Sequence, residues 1–217
     1  MTNLAHDTEI RFFGAMTASI SHEIKNCLAI INEQAGLLSD MVRQSESGRA
    51  LDPARLGRLA ESVKKQITRT DGIIRSMNRF AHSVDMLRQP VDLCDLLPLA
   101  AALFRRMAER RNIQIELDLP ASALTVNTSP FLLLSLLWLS LDRVMVNGSV
   151  PRILKLGAVQ AADAARVFIA DVDGALAAGA AGAITSGDCE AVADKLDVSL
   201  LGDAEGRRVV IAIPFTQ

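Results

Sequence analysis

His22, Glu23 and Asn26 sit together in the segment SISHEIKN, residues 19–26. Their types and spacing suit the capture and handling of a phosphoryl group. A histidine of ordinary pKa, about 6.5, is largely neutral near pH 7, so a ring nitrogen is free to attack. Glu23 can orient the ring or take its proton. Asn26, one helical turn along the same face, can position a phosphoryl oxygen or a hydrolytic water. Ala15, Ala18, Ser19, Ala29 and Gly36 surround them. Such small residues leave room for another protein to reach the imidazole in line, and the first four are the expected docking positions. The same spacing also fits a plain solvated histidine. His82, late in the second helical segment and without an acidic neighbour, is assigned no role, and neither is His6 near the terminus.

These residues need a helix. Phe13, Met16, Ile20, Ile24, Cys27, Ile31, Ala35 and Leu38 recur every three or four positions, which predicts one long helix over about 8–44 with His22 opposite the apolar stripe. The polar stretch SESGRALDP follows. Its Asp52-Pro53 pair suits an N-cap and the first helical position. A second stripe, from Leu56 and Leu59 through Val63, Ile67, Thr70, Ile74 and Met77 to Ala81 and Val84, has heptad spacing and predicts a helix to about residue 87. Two such helices form an antiparallel hairpin. Pairing two hairpins into a four-helix bundle would bury both seams, so a homodimer through residues 8–87 is expected. A hairpin packed on the rest of its own chain is the alternative.

From Val91 the pattern changes. An extended entry leads into an amphipathic helix over about 93–111, with Pro98 early in it. The segment NIQIELDLP alternates as a strand, and Ala123–Val126 fits a short one. A helix over about 129–146 comes next. ILKLGAVQ and ARVFIADVD read as strands joined around Ala161–Ala164. A helix end and two more strands, turning at Glu205-Gly206, close the chain. The expected class is α+β, a long helical hairpin followed by an α/β sandwich with a largely antiparallel sheet. Domain limits fall at residues 1–90 and 91–217.

Composition narrows the function. There are 23 basic and 25 acidic residues among 217, a net charge of -2, which gives no electrostatic case for binding nucleic acid or an anionic membrane. Cys27, Cys94 and Cys189 lie far apart with no metal-ligand spacing and no disulfide framework, which fits a reducing, cytoplasmic compartment. The most apolar run, Phe131–Leu141, is too short for the roughly 20 residues of a membrane span.

SHEIKN, followed by an apolar periodic run, resembles the H-box of sensor histidine kinases. That family carries a His-Glu-x-x-Asn/Thr pattern on the first helix of its dimerisation and phosphotransfer domain, and His22, Glu23 and Asn26 match it position for position. The resemblance covers about residues 8–90, and the second helix, ending GIIRSMNRFAHSVD, shares it. It implies that His22 accepts the phosphoryl group, that Glu23 supports its transfer, and that Asn26 supports dephosphorylation of a partner receiver in some members.

The second half resembles the family's ATP-binding domain. SPFLLLSLLWLSLDRVM is similar to the N-box helix, which normally offers an asparagine to magnesium and phosphates. Here the matching stretch has Leu139 and Ser140, with Ser135 one turn earlier, while Asp142 remains. Magnesium demands oxygen ligands, and leucine has none. In place of the family's Asp-x-Gly-x-Gly turn stands ADVDGALAAG, in which Asp171 or Asp173 and Gly174 are the candidate remnants. The later Gly-x-Gly is replaced by GAAGAITSGD, which reads as an Ala/Gly-rich connection or, alternatively, a divergent nucleotide loop.

An intact phosphotransfer half beside a degenerate ATP half implies a histidine phosphotransferase. It would exchange phosphate with response-regulator receiver aspartates without ATP, the receiver supplying the magnesium. The alternatives are a soluble histidine kinase with a divergent ATP site, a response-regulator phosphatase, and a non-catalytic module that binds receivers.

Overall fold

A computed structural model describes residues 2–147, 153–172, 184–185, 187–202 and 208–215. The chain divides into two compact units, Met1–Ala15 with Arg79–Gln217, and Met16–Asn78. Helix α1 (Thr2–Glu46) and helix α2 (Pro53–His82) each contribute to both.

The Met16–Asn78 unit is the hairpin. Asp52 caps α2 as its sequence position implies: Oδ1 accepts from the N–H groups of Ala54 at 2.9 Å and Arg55 at 3.3 Å. Gly48 takes φ 91° in the connecting turn, a left-handed conformation that favours glycine. Met16, Ile20, Glu23, Cys27 and Met41 form the buried line of α1, and Leu59 and Ile73 are the buried residues of α2 in this unit.

That line departs from the expected stripe. Ile24 and Ile31 are half-buried and Ala35 is exposed, while Leu38 is 44% exposed. Helix α1 carries two apolar rows side by side. Periodicity detects their sum and does not say which row faces the partner helix.

In the other unit Phe12 is fully buried and Phe13, the expected core residue, is exposed. Helix α2 ends at His82, short of the expected 87. The carbonyl of Phe80 accepts from both the N–H of Ser83 at 3.1 Å and its Oγ at 2.6 Å, closing the last turn. Beyond it Val84 and Leu87 are exposed, so no packing rewards a longer helix.

The rest of that unit is the α/β sandwich. In order come β1 (Gln89–Asp92), α3 (Leu93–Glu109), β2 (Gln114–Asp118), β3 (Thr125–Thr128), α4 (Pro130–Asn147), β4 (Ile153–Gln160), β5 (Ala164–Asp171), α5 (Asp188–Leu196), β6 (Ser199–Gly202) and β7 (Arg208–Pro214). The extended entry before α3 is a true strand, since β1 pairs antiparallel with β3. The main sheet runs β2-β4-β5-β7-β6. Its β2–β4 pair is parallel and the others are antiparallel.

Register aligns the core. Leu156, Ile169 and Val209 sit opposite one another across β4, β5 and β7, as do Ala158, Val167 and Ile211, and all six are buried. On the other face Gly157 lies opposite Phe168. A Cβ at Gly157 would collide with the Phe168 ring and the Asp118 carbonyl, so only glycine fits.

The sequence holds seven Phe and one Trp. Six of these eight gather in one cluster. Phe12 lies 5.5 Å, centroid to centroid, from each of Phe80, Phe131 and Trp138, and 6.4 Å from Phe104, while Phe13 stacks on Phe80. Aromatic rings at such separations bury large apolar areas and add specific edge and stacking contacts. Ion pairs reinforce the packing: Arg11 with Asp188 and Lys195 with Glu9, each at 2.6 Å. The start of α1 and the end of α2 are therefore core elements of this unit.

Candidate functional site

His22 is exposed at the middle of α1. At about 100° per residue it faces away from both apolar rows of its helix. Asn26, one turn on, is also exposed. Ala18 and Ala29 are exposed and Ala15 and Ser19 half-buried, so the row flanking the imidazole is low and open. The structure places all six on one face of one helix.

Glu23 behaves differently. Its side chain is only 10% exposed, turned into the seam with α2, and Oε2 lies 3.8 Å from Nη2 of Arg69. Ile20 and Cys27, one turn to either side, are buried with it. A carboxylate at this depth needs partners, and a guanidinium is one. Arg69 is a residue that sequence reading did not single out. The signal was available only as geometry, because nothing along the chain links position 23 to position 69.

His82 corrects an expectation. It does have an acidic neighbour: Nδ1 lies 2.8 Å from Oδ2 of Asp85, three residues on. Both side chains are largely exposed, which fits a local turn contact at the end of α2.

The α4 positions singled out by the resemblance are core positions. Leu139 is 8% exposed, and Ser135 and Ser140 are wholly buried with no hydrogen-bond partner for either Oγ. Those two serines are five residues apart and so point to different sides of the helix, which packs on α3 and α5. Asp142 is engaged by Arg111, Nη2 donating to Oδ1 at 2.8 Å. Trp138 belongs to the aromatic cluster. Asp171 ends β5, opposite Leu154. Asp173 and Gly174 lie outside the described residues. Among the described residues no group of three His, Cys, Asp or Glu side chains could hold a metal ion, and no helix is long and apolar enough to cross a membrane.

Cys189, on α5, is fully buried, and burial pushes its thiol up to about 11, against the opposing charge of Arg143.

No family model matches the chain, and no curated protein matches it. Solved structures similar to it include the Acinetobacter baumannii histidine kinase AdeS, at 15% identity over 90% of this chain and 98% of that one, with a TM-score of 0.44. A histidine kinase from Burkholderia phymatum STM815 is similar at 17% identity over 90% of this chain and 98% of that one, with a TM-score of 0.43. The histidine kinase ThkA, solved in complex with the response regulator protein TrrA, is similar at 17% identity over 95% of this chain and 63% of that one, with a TM-score of 0.44.

Proposed function

We propose that the chain is a two-component signalling protein of the histidine-kinase type that works as a homodimeric histidine phosphotransferase, carrying phosphate on His22 between receiver aspartates. The observation that carries the reading is the contrast between two helices. On α1 the H-box histidine stands exposed in an open row of small residues. On α4 the N-box position is a buried leucine, and the one acidic residue nearby is held by Arg111.

The transfer step is an in-line displacement. The unprotonated ring nitrogen of His22 attacks the phosphorus of an aspartyl phosphate, an N–P bond forms, and the P–O bond to the receiver carboxylate breaks with the electron pair staying on that carboxylate. The other ring N–H then loses its proton to solvent. The reverse step reloads a second receiver. The partner's carboxylates would hold magnesium, which would stabilise charge on the transferring phosphoryl group, so this chain would need only to present the histidine.

The dimer reading rests on apolar surface left over by the hairpin. Leu28, Leu38 and Val42 on α1, and Ile67, Ile74 and Met77 on α2, are each more than a third exposed. With half-buried Ile24 and Ile31 they continue as heptad rows on the flank of the seam away from His22. A second copy would cover both rows at once, and patches of this kind on a monomer mark association sites.

The test charges a panel of purified receiver domains with radiolabelled acetyl phosphate and mixes each with the full chain or its His22→Ala variant. Label should move from at least one receiver to the wild type and never to the variant. Incubation with magnesium and labelled ATP should leave both unlabelled; label on the wild type alone would make the chain an autokinase.

A further inference from the structure

The stretch that leaves α2, residues 83–88, carries three apolar side chains that the core does not take. Val84, Met86 and Leu87 are all exposed, Leu87 by 87%. Clustered apolar exposure of this kind marks a binding surface, whereas the same residues scattered singly would not. All three line one cavity of about 720 Å³, together with Phe131 and Leu132 of α4. The cavity lies wholly within the unit Met1–Ala15 with Arg79–Gln217. Small-molecule sites run to roughly 300–1,000 Å³, are mostly apolar, and carry a few placed polar groups.

The polar groups of this cavity have donors to spare. Glu9 also lines it, and its carboxylate is taken by Lys195 at 2.6 Å. An ammonium has three N–H groups, so Lys195 keeps two. Arg88 spends Nη2 on the Leu196 carbonyl, at 3.1 Å, and on Asp197. Its Nε and Nη1 have no partner among the described residues. Ser129 is buried, and its Oγ accepts from the N–H of Leu132 at 3.4 Å. The hydroxyl proton of Ser129 finds no acceptor among the described residues. Ser83, the other serine of the lining, has already given its proton to the Phe80 carbonyl. A buried donor left unmade is costly, and a ligand oxygen would remove that cost. Helix α4 begins beside Ser129 with no acidic residue in its first turn, so its dipole favours an anion as well.

We propose that this cavity binds an amphipathic carboxylate of the fatty-acid type. The hydrocarbon chain lies against Val84, Met86, Leu87, Phe131 and Leu132. The carboxylate accepts from Arg88, Lys195 and the Ser129 hydroxyl. Two cations against one carboxylate leave the lining short of negative charge, and the ligand head supplies it. A neutral lipid would leave the spare cationic donors unmet, and a small inorganic anion would leave the apolar wall in water. None of this involves His22, so the site stands apart from the phosphotransferase reading.

The experiment titrates the full chain with radiolabelled dodecanoate, below its micellar range, by equilibrium dialysis. Intrinsic fluorescence gives a second readout. Trp138 is the one tryptophan and there is no tyrosine, and Phe12 touches both it and Phe131 at 5.5 Å. Saturable uptake of one dodecanoate per chain is expected, with dodecanol weaker and dodecylamine not bound. Arg88→Gln should weaken dodecanoate about tenfold and leave dodecanol unchanged, because it removes a charge-assisted contact to the head alone. Leu87→Asp should weaken both about tenfold, because it puts a charge in the apolar wall. Leu87 is exposed, so that variant should fold, which circular dichroism checks. Uptake that never saturates would overturn the proposal, as would dodecylamine binding as tightly as dodecanoate. Binding within about twofold of wild type in both variants would overturn it too. Equal loss of dodecanoate and dodecanol in Arg88→Gln would overturn the head-group assignment, because the arginine would then only shape the cavity. Retention of the chain on phosphatidylglycerol vesicles without uptake of free dodecanoate would overturn the site and assign Val84, Met86 and Leu87 to a lipid surface.

Discussion

The carboxylate of Glu23 points into the α1–α2 seam, 3.8 Å from the guanidinium of Arg69, while its neighbour His22 faces solvent. Consecutive residues on a helix diverge by about 100°, so the two side chains serve different surfaces. Replacing Arg69 by Ala should lower stability by about 1 kcal/mol, a modest figure because the guanidinium is half-exposed and screened. Urea denaturation checks it. The Arg69→Lys variant should recover part of that loss, since it restores charge without the planar fork.

His22→Ala should cost little stability, within about 0.5 kcal/mol, because the imidazole is exposed and away from the seam. It should abolish label from every donor. A midpoint of thermal unfolding several degrees below wild type would mean that His22 is a packing residue.

The two apolar rows of the hairpin should separate under mutation. Leu28→Glu with Ile67→Glu, both on exposed positions, should give a folded monomer by light scattering. Ile20→Asp, in the buried seam, should unfold the hairpin by burying an unpaired charge. A Leu28→Glu/Ile67→Glu protein of unchanged mass would move the dimer interface elsewhere or remove it.

Phe12→Ala should be among the most damaging single changes, at about 3–5 kcal/mol, since it opens a cavity amid Phe80, Phe104, Phe131 and Trp138. Phe13→Ala, one residue on but exposed, should cost far less. Chemical denaturation of the pair compares them directly.

Cys189 gives a pH dependence of known sign. Its thiol is raised from the ordinary 9.0 to about 11 by burial, so the folded state keeps a proton that the unfolded state releases. Its contribution is fully present below about pH 9 and is lost as pH rises to about 11. The slope of stability against pH in that window should flatten in Cys189→Ala. In the native protein at pH 8, half-buried Cys94 should alkylate before Cys189 or Cys27, both buried.

The sequence by itself determined the hairpin and the order of helices and strands, and it put His22, Glu23 and Asn26 forward as the trio to test, because each depends on local spacing. A 3.6-residue period, an Asp-Pro cap or a His-Glu-x-x-Asn pattern is complete within a few turns of chain. Tertiary structure decided what spacing leaves degenerate. It chose which of two apolar rows on α1 is buried, and put Phe12 rather than Phe13 in the core. It stopped α2 at His82, where the chain turns back on the Phe80 carbonyl. It also joined Glu23 to Arg69, drew six aromatics from four helices into one cluster, and held Asp142 with Arg111. The Glu23–Arg69 pair, the aromatic cluster and the Asp142–Arg111 pair are meetings of residues distant in the chain, and no local pattern encodes them.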